Sequence, residues 1–131
     1  MNYSKRIQKL QAVLRRQKAD AMLITQPENR RYLSGYTGCD HGIGETSGVL
    51  LVPARGEISL LTDFRYKLLA EQDVSWAKVL LYPRGLLRLL PQLLPDLGTR
   101  TLAFESHYTL HATAEKMTDT LAKVGIRLVP L

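Results

Sequence analysis

Cysteine occurs once in this chain, as Cys39, which excludes an intramolecular disulfide and suits a reducing compartment. No apolar run approaches the roughly 20 residues that span a bilayer, so no membrane segment is expected. The start, from Met1 to Arg16, is charged throughout and lacks the apolar core of a secretory leader. These absences together predict a cytoplasmic protein with no membrane partner. Clusters of basic residues with stacking aromatics are missing too. The net charge of +6 is spread along the chain, with Arg15, Arg16 and Lys18 well separated from Arg30, Arg31, Arg55, Arg84 and Arg88. That spread reads as solvated surface and predicts no nucleic-acid partner. Repeats, linkers and low-complexity tracts are also lacking, and 131 residues suit one domain, 1–131, able to bury a substantial core.

The residues that are present alternate between helical and strand patterns. Ile7, Leu10, Val13 and Leu14 recur at helical spacing over Tyr3–Gln17, and the cationic end of that stretch complements the helix dipole. Ala21–Thr25 is a short apolar run with the character of a buried strand. Pro27 opens a short helix reaching Leu33, followed by a glycine-rich polar loop over Tyr36–Glu45. Gly48–Pro53 and Ile58–Thr62 flank a glycine-bearing turn, the pattern of a hairpin. Asp63 is placed to cap a helix over Phe64–Gln72, and Ala77–Tyr82 follows as a strand. The leucines of Leu86–Leu94 predict a helix broken at Pro91 and closed before Pro95. Thr101–Phe104 is a strand, Thr109–Lys123 a helix with Leu110, Ala114, Met117 and Leu121 on one face, and Ile126–Val129 a last strand. Gly125 stands where a helix C-cap is expected. The fold class is α/β: one mixed sheet of about six strands flanked by helices.

Few constellations carry chemistry. His107 and His111 are four apart, as in some zinc sites, but no further ligand accompanies them, and they read as surface histidines. Cys39, Asp40, His41 and Glu45 form the densest reactive group. A cysteine and a histidine two apart in a flexible loop are not thereby positioned as nucleophile and base, so the loop reads as a contact surface, not a catalyst. Gly42-Ile43-Gly44 falls short of any phosphate-binding pattern. Asp63-Phe64-Arg65-Tyr66, charged and aromatic at a strand-to-helix junction, reads as a capping aspartate with an arginine in a structural ion pair.

Three segments, in order, resemble the amino-terminal domain of the creatinase, prolidase and Xaa-Pro aminopeptidase family. Ala21–Thr25 leads into Asn29-Arg30-Arg31-Tyr32-Leu33-Ser34-Gly35-Tyr36, similar to the family's strand, asparagine and Tyr-Leu-[Ser/Thr]-Gly-aromatic run. Leu61-Thr62-Asp63-Phe64-Arg65-Tyr66 with Ala70 is similar to its Thr-Asp-x-Arg-Tyr segment, and Leu102–Glu105 to its strand ending in Glu. The resemblance implies a ribonuclease H-like sheet with helices on both faces. It also implies that catalysis lies in a following pita-bread domain absent from this chain, where two divalent metal ions (manganese, cobalt or zinc) are held. It places no cofactor and no metal ligand in this chain. The implied partners are that C-terminal catalytic domain, a second copy in a homodimer, and a peptide with proline at its second position. The implied role is shape: building the dimer and covering the partner's active site. By position, the Tyr36–Glu45 loop is the part that reaches into the neighbouring pocket, with His41, Asp40 and Tyr36 as the contact residues expected in trans. Two other readings stay open: a stand-alone ribonuclease H-like nucleic-acid module using Asp40, Asp63 and Glu105, and an interaction domain of a parent without metals.

Overall fold

The computed structural model describes residues 2–131. Five helices and six strands follow one another: α1 (Tyr3–Arg16), β1 (Ala21–Ile24), α2 (Pro27–Ser34), β2 (Val49–Pro53), β3 (Ser59–Thr62), a 3-10 turn (Phe64–Tyr66), α3 (Lys67–Asp73), β4 (Lys78–Leu81), α4 (Leu86–Asp96), β5 (Thr101–Phe104), α5 (His111–Ala122) and β6 (Arg127–Pro130). The strands form one mixed sheet in the order β4-β3-β2-β1-β5-β6. β2 is antiparallel to both neighbours, while β3–β4, β1–β5 and β5–β6 are parallel. Five strands therefore share one direction and only β2 opposes them. Their carboxyl ends, together with the start of β2, make a single edge of the sheet. That edge gathers Thr25, Ser47, Asp63, Tyr82, Glu105 and Leu131.

Alternation along the strands divides the core. Met22, Ile24, Leu50, Val52 and Leu60 point to the face covered by Ile7 and Leu14 of α1 and Ala70 of α3. Ala21, Leu23, Val49, Leu51, Leu61 and Leu102 point to the other face, under Leu90 and Leu94 of α4 and Met117 and Leu121 of α5. The apolar runs of β1 and β2 are buried on both sides, as central strands require.

Three boundaries differ from expectation. The leucine helix is not broken at Pro91: α4 runs through it and past Pro95. Proline in a helix interior is disfavoured, but the full burial of Leu90 and Leu94 against the sheet holds the helix together through both prolines. α5 begins at His111, not Thr109, because the N–H groups of Tyr108 and Thr109 turn back to the Glu105 carbonyl. Phe64–Tyr66 is a 3-10 turn that precedes α3 in place of a continuous helix. Gly125 does close α5: Ile126 N–H reaches back to the Leu121 carbonyl at 3.0 Å around it. Among the described residues no helix is long and apolar enough to cross a membrane.

Candidate functional site

The turn after α2 sets the site. Gly35 ends the helix in the left-handed region at φ 82°, with its N–H on the Arg31 carbonyl at 2.7 Å. Arg30, Leu33 and Ser34 form the buried face of α2, so the Arg30 guanidinium runs inward beneath the loop that follows. Its Nη1 donates to the Gly48 carbonyl, and Nη2 to the Gly38 carbonyl at 2.9 Å and to Ser47 Oγ at 3.1 Å. Asp40 completes the hub, 3.2 Å from Arg30 Nη2, and its Oδ1 also accepts from Ser47 N–H and Oγ–H, both at 2.8 Å. The side chains of Arg30 and Asp40 are 0% and 4% exposed, a buried and multiply bonded ion pair. Tyr36 lies against the guanidinium, 5.0 Å from ring centroid to Cζ, and donates its hydroxyl to the Ser47 carbonyl at 2.8 Å. Gly38 can only be glycine here, because a Cβ would stand 2.5 Å from Ser47 Oγ and from the Tyr36 ring.

Two ends of the loop are thus clamped to one buried cation, while residues 41 to 45 between them are exposed. Of these, His41 and Glu45 face Arg65 and Tyr66 of the Asp63 segment, while Ile43 and Gly44 border Tyr108 and Leu110. Asp63 caps the 3-10 turn, accepting Arg65 N–H at 2.9 Å, and takes Arg65 Nε at 3.2 Å and Nη2 at 2.8 Å. The hydrogen bonds from Arg65 hold the Asp63 carboxyl below its ordinary 3.8, and the Arg65 guanidinium is raised in turn. Between loop and turn lies a polar cleft of about 260 Å³, lined by Cys39, Asp40, His41, Glu45, Thr46, Arg65 and Tyr66. Beneath it, burial raises the Tyr36 phenol, and burial foremost pushes Tyr82 up to about 12. The Tyr82 hydroxyl is buried without a hydrogen-bond partner among the described residues.

The structure brings together two segments that sequence reading treated apart, and it separates residues grouped by that reading. His41 presents its side chain to the cleft, whereas Tyr36, 1% exposed, is a strut of the hub. Asp40 meets the cleft from its floor with its carboxylate already engaged by Arg30 and Ser47. Asp63 and Arg65 form the expected cap and pair, and the Tyr66 ring lies 5.3 Å from the Arg65 Cζ. His107 and His111 part company: His111 pairs with Glu115 at 2.8 Å on the outer face of α5, and His107 lines a separate cleft. Asp40, Asp63 and Glu105 are each held by different partners, and no group of three metal-ligating side chains occurs among the described residues. Ser47 carries no signal of its own in the sequence, and Arg30, counted there among solvated surface charges, is instead fully buried. The signal for Arg30 lies in its helical spacing with Leu33 and Ser34, which puts it on the buried face of α2.

Glu105 is the other unanticipated organiser. At the end of β5, beside β1, it accepts the N–H groups of Thr25 and Gln26 and the Asn29 amide at 2.7 Å. It thereby ends β1 and caps α2 from a distant strand. Its carboxylate forms part of an apolar cleft of about 340 Å³ with Leu10, Met22, Tyr32, His107 and Leu131.

Comparison with known proteins matches residues 6–131 to the family described as creatinase/prolidase N-terminal domain. The N-terminal domain of cytoplasmic peptidase PepQ from Mycobacterium tuberculosis H37Rv superposes with a TM-score of 0.83 at 31% identity, covering 97% of this chain and 92% of that one. An XXA-Pro aminopeptidase structure from Streptococcus pyogenes gives 0.82 at 26% identity, over 98% and 91%. The uncharacterized peptidase YqhT of Bacillus subtilis is 27% identical over 108 residues, 82% of this chain but only 28% of its own length. The chain therefore spans less than a third of that curated relative.

Proposed function

Because this chain belongs to the creatinase/prolidase N-terminal domain family, we propose that it is the non-catalytic amino-terminal domain of a metal-dependent Xaa-Pro aminopeptidase or dipeptidase. In this reading the parent hydrolyses the bond before proline in a following catalytic domain, which holds two divalent ions (manganese, cobalt or zinc). The present domain helps to form a homodimer and to control access to the partner's active site. A cytoplasmic location belongs to the reading and is supported by the cytoplasmic peptidase among the neighbours.

The observation that carries the role in substrate access is the loop over residues 41 to 45, exposed yet rooted at both ends in the Arg30 hub. A segment so held keeps its direction while its tip stays free to enter a neighbouring surface. His41 at the tip supplies a ring N–H to a substrate carbonyl or carboxylate. The dimer role is supported by Phe64 and Leu68, 73% and 81% exposed and four residues apart in the segment that carries Arg65.

Replacing His41 by Ala in the full-length protein should lower kcat/KM without changing fold or metal content. Mixing that variant with one defective in the metal site is the sharper measurement. If the loop serves the partner's pocket, activity partly returns in heterodimers. Wild-type kinetics for His41→Ala, or no recovery in verified heterodimers of an impaired variant, would defeat the proposal.

A further inference from the structure

The 340 Å³ cleft runs along α2, from Gln26 to Leu33, at the carboxyl ends of β1, β5 and β6. Its wall is apolar, made by Leu10, Met22, Ile24, Leu33 and the ring of Tyr32, which is 58% exposed. At its floor Glu105, 7% exposed, has four donors but no cationic partner among the described ion pairs. Leu131 forms one side of it, fixed by its N–H on the Phe104 carbonyl at 3.1 Å and by Ser106 Oγ on its own carbonyl at 3.3 Å. Any chain continuing beyond Leu131 leaves from the rim of this cleft.

We infer that the cleft seats the domain that follows this one in the full-length protein, in cis, through an apolar face carrying a basic side chain opposite Glu105. This rests on the proposal that such a domain exists. Three observations favour that occupant. The chain spans 34% of the Xaa-Pro dipeptidase of Bacillus anthracis and 28% of the Bacillus subtilis peptidase, so relatives continue for about twice this length or more. A segment tethered at Leu131 reaches the cleft at a high effective concentration, which a separate molecule lacks. A carboxylate fixed beside an apolar wall is complementary to a cation on an apolar surface, and unlike charge is selected there. The exposed Phe64 and Leu68, at the 3-10 turn and in α3, form a different patch remote from Leu131 in the strand order, and are left for the second copy.

Hydroxyl-radical footprinting of the 131-residue chain and of the full-length protein compares side-chain access directly. Docking in cis lowers the labelling of Tyr32 and His107 about tenfold in the full-length protein, as burial in a close-packed interface core requires, while Trp76 keeps its rate. A photo-crosslinking residue at position 107 in mixed isotopically light and heavy full-length protein then joins peptides of one chain only. Unchanged labelling of Tyr32 and His107, protection confined to Phe64 and Leu68, or crosslinks between light and heavy chains would each overturn the inference. A peptidase assay on the same sample separates the two proposals. Protection in an inactive protein removes only the proposed function, and activity without protection removes only the docking face.

Discussion

At the scale of the residue, Asp63 shows how one side chain serves a backbone need and a charge at once. Its carboxylate accepts the Arg65 N–H that opens the 3-10 turn and also the Arg65 guanidinium. The pair with Arg65, whose side chain is 72% exposed, adds little in water, so the cap dominates. Asp63→Ala is expected to lower stability by about 0.5–2 kcal/mol at neutral pH. The sign of the pH dependence follows from the lowered pKa. Folding favours the ionised carboxyl, so its contribution is complete above the ordinary value of 3.8 and is lost as pH falls through the lower folded value. Urea midpoints of parent and variant, taken stepwise from neutral into acid, should converge. A constant gap would assign the loss to something other than the carboxylate. The capping role was legible because an aspartate after a strand and before helical spacing has few other uses. The role of Glu105 was not, since the groups that donate to it lie 76 to 80 residues away in sequence.

At the scale of the element, the loop after α2 depends on a cation that the helix keeps out of water. Removing one member of a buried pair leaves the other uncompensated, which typically costs about 3–5 kcal/mol. Asp40→Ala should fall in that range, measured by chemical denaturation, because Arg30 keeps only carbonyl and hydroxyl acceptors. His41→Ala, one residue on and exposed, should stay within about 0.5 kcal/mol of the parent. Equal losses for the two would mean that the hub does not hold the loop. The existence of α2 and of the loop could be read locally, from Pro27, the spacing of Leu33 and the run of glycines. That Asp40 turns inward and His41 outward could not, because adjacent residues in an irregular segment have no periodicity to separate them. α4 makes the same point for helices. Pro91 is a local signal for a break, and only the burial of Leu90 and Leu94 against the sheet overrides it.

At the scale of the whole molecule, the proposed function puts the hydrolytic chemistry outside this domain, which makes the isolated chain the direct test. The 131-residue chain is expected to show no hydrolysis of Xaa-Pro dipeptides or longer peptides above buffer, with manganese, cobalt or zinc added. Turnover that persists through rigorous purification would refute the non-catalytic reading. The amino-acid sequence by itself determined the α/β class, five helices, six strands and the β2–β3 hairpin. Each of these follows from apolar period and turn chemistry within about a dozen residues. Tertiary structure alone decided that β1 pairs with β5 across 81 residues and that only β2 runs against the other described strands. That arrangement brings Asn29 to Glu105 and sets the His41 loop against Arg65. The reason is that strand order and edge contacts are chosen by burying both faces of the sheet at once, a condition on the whole chain that no local pattern encodes.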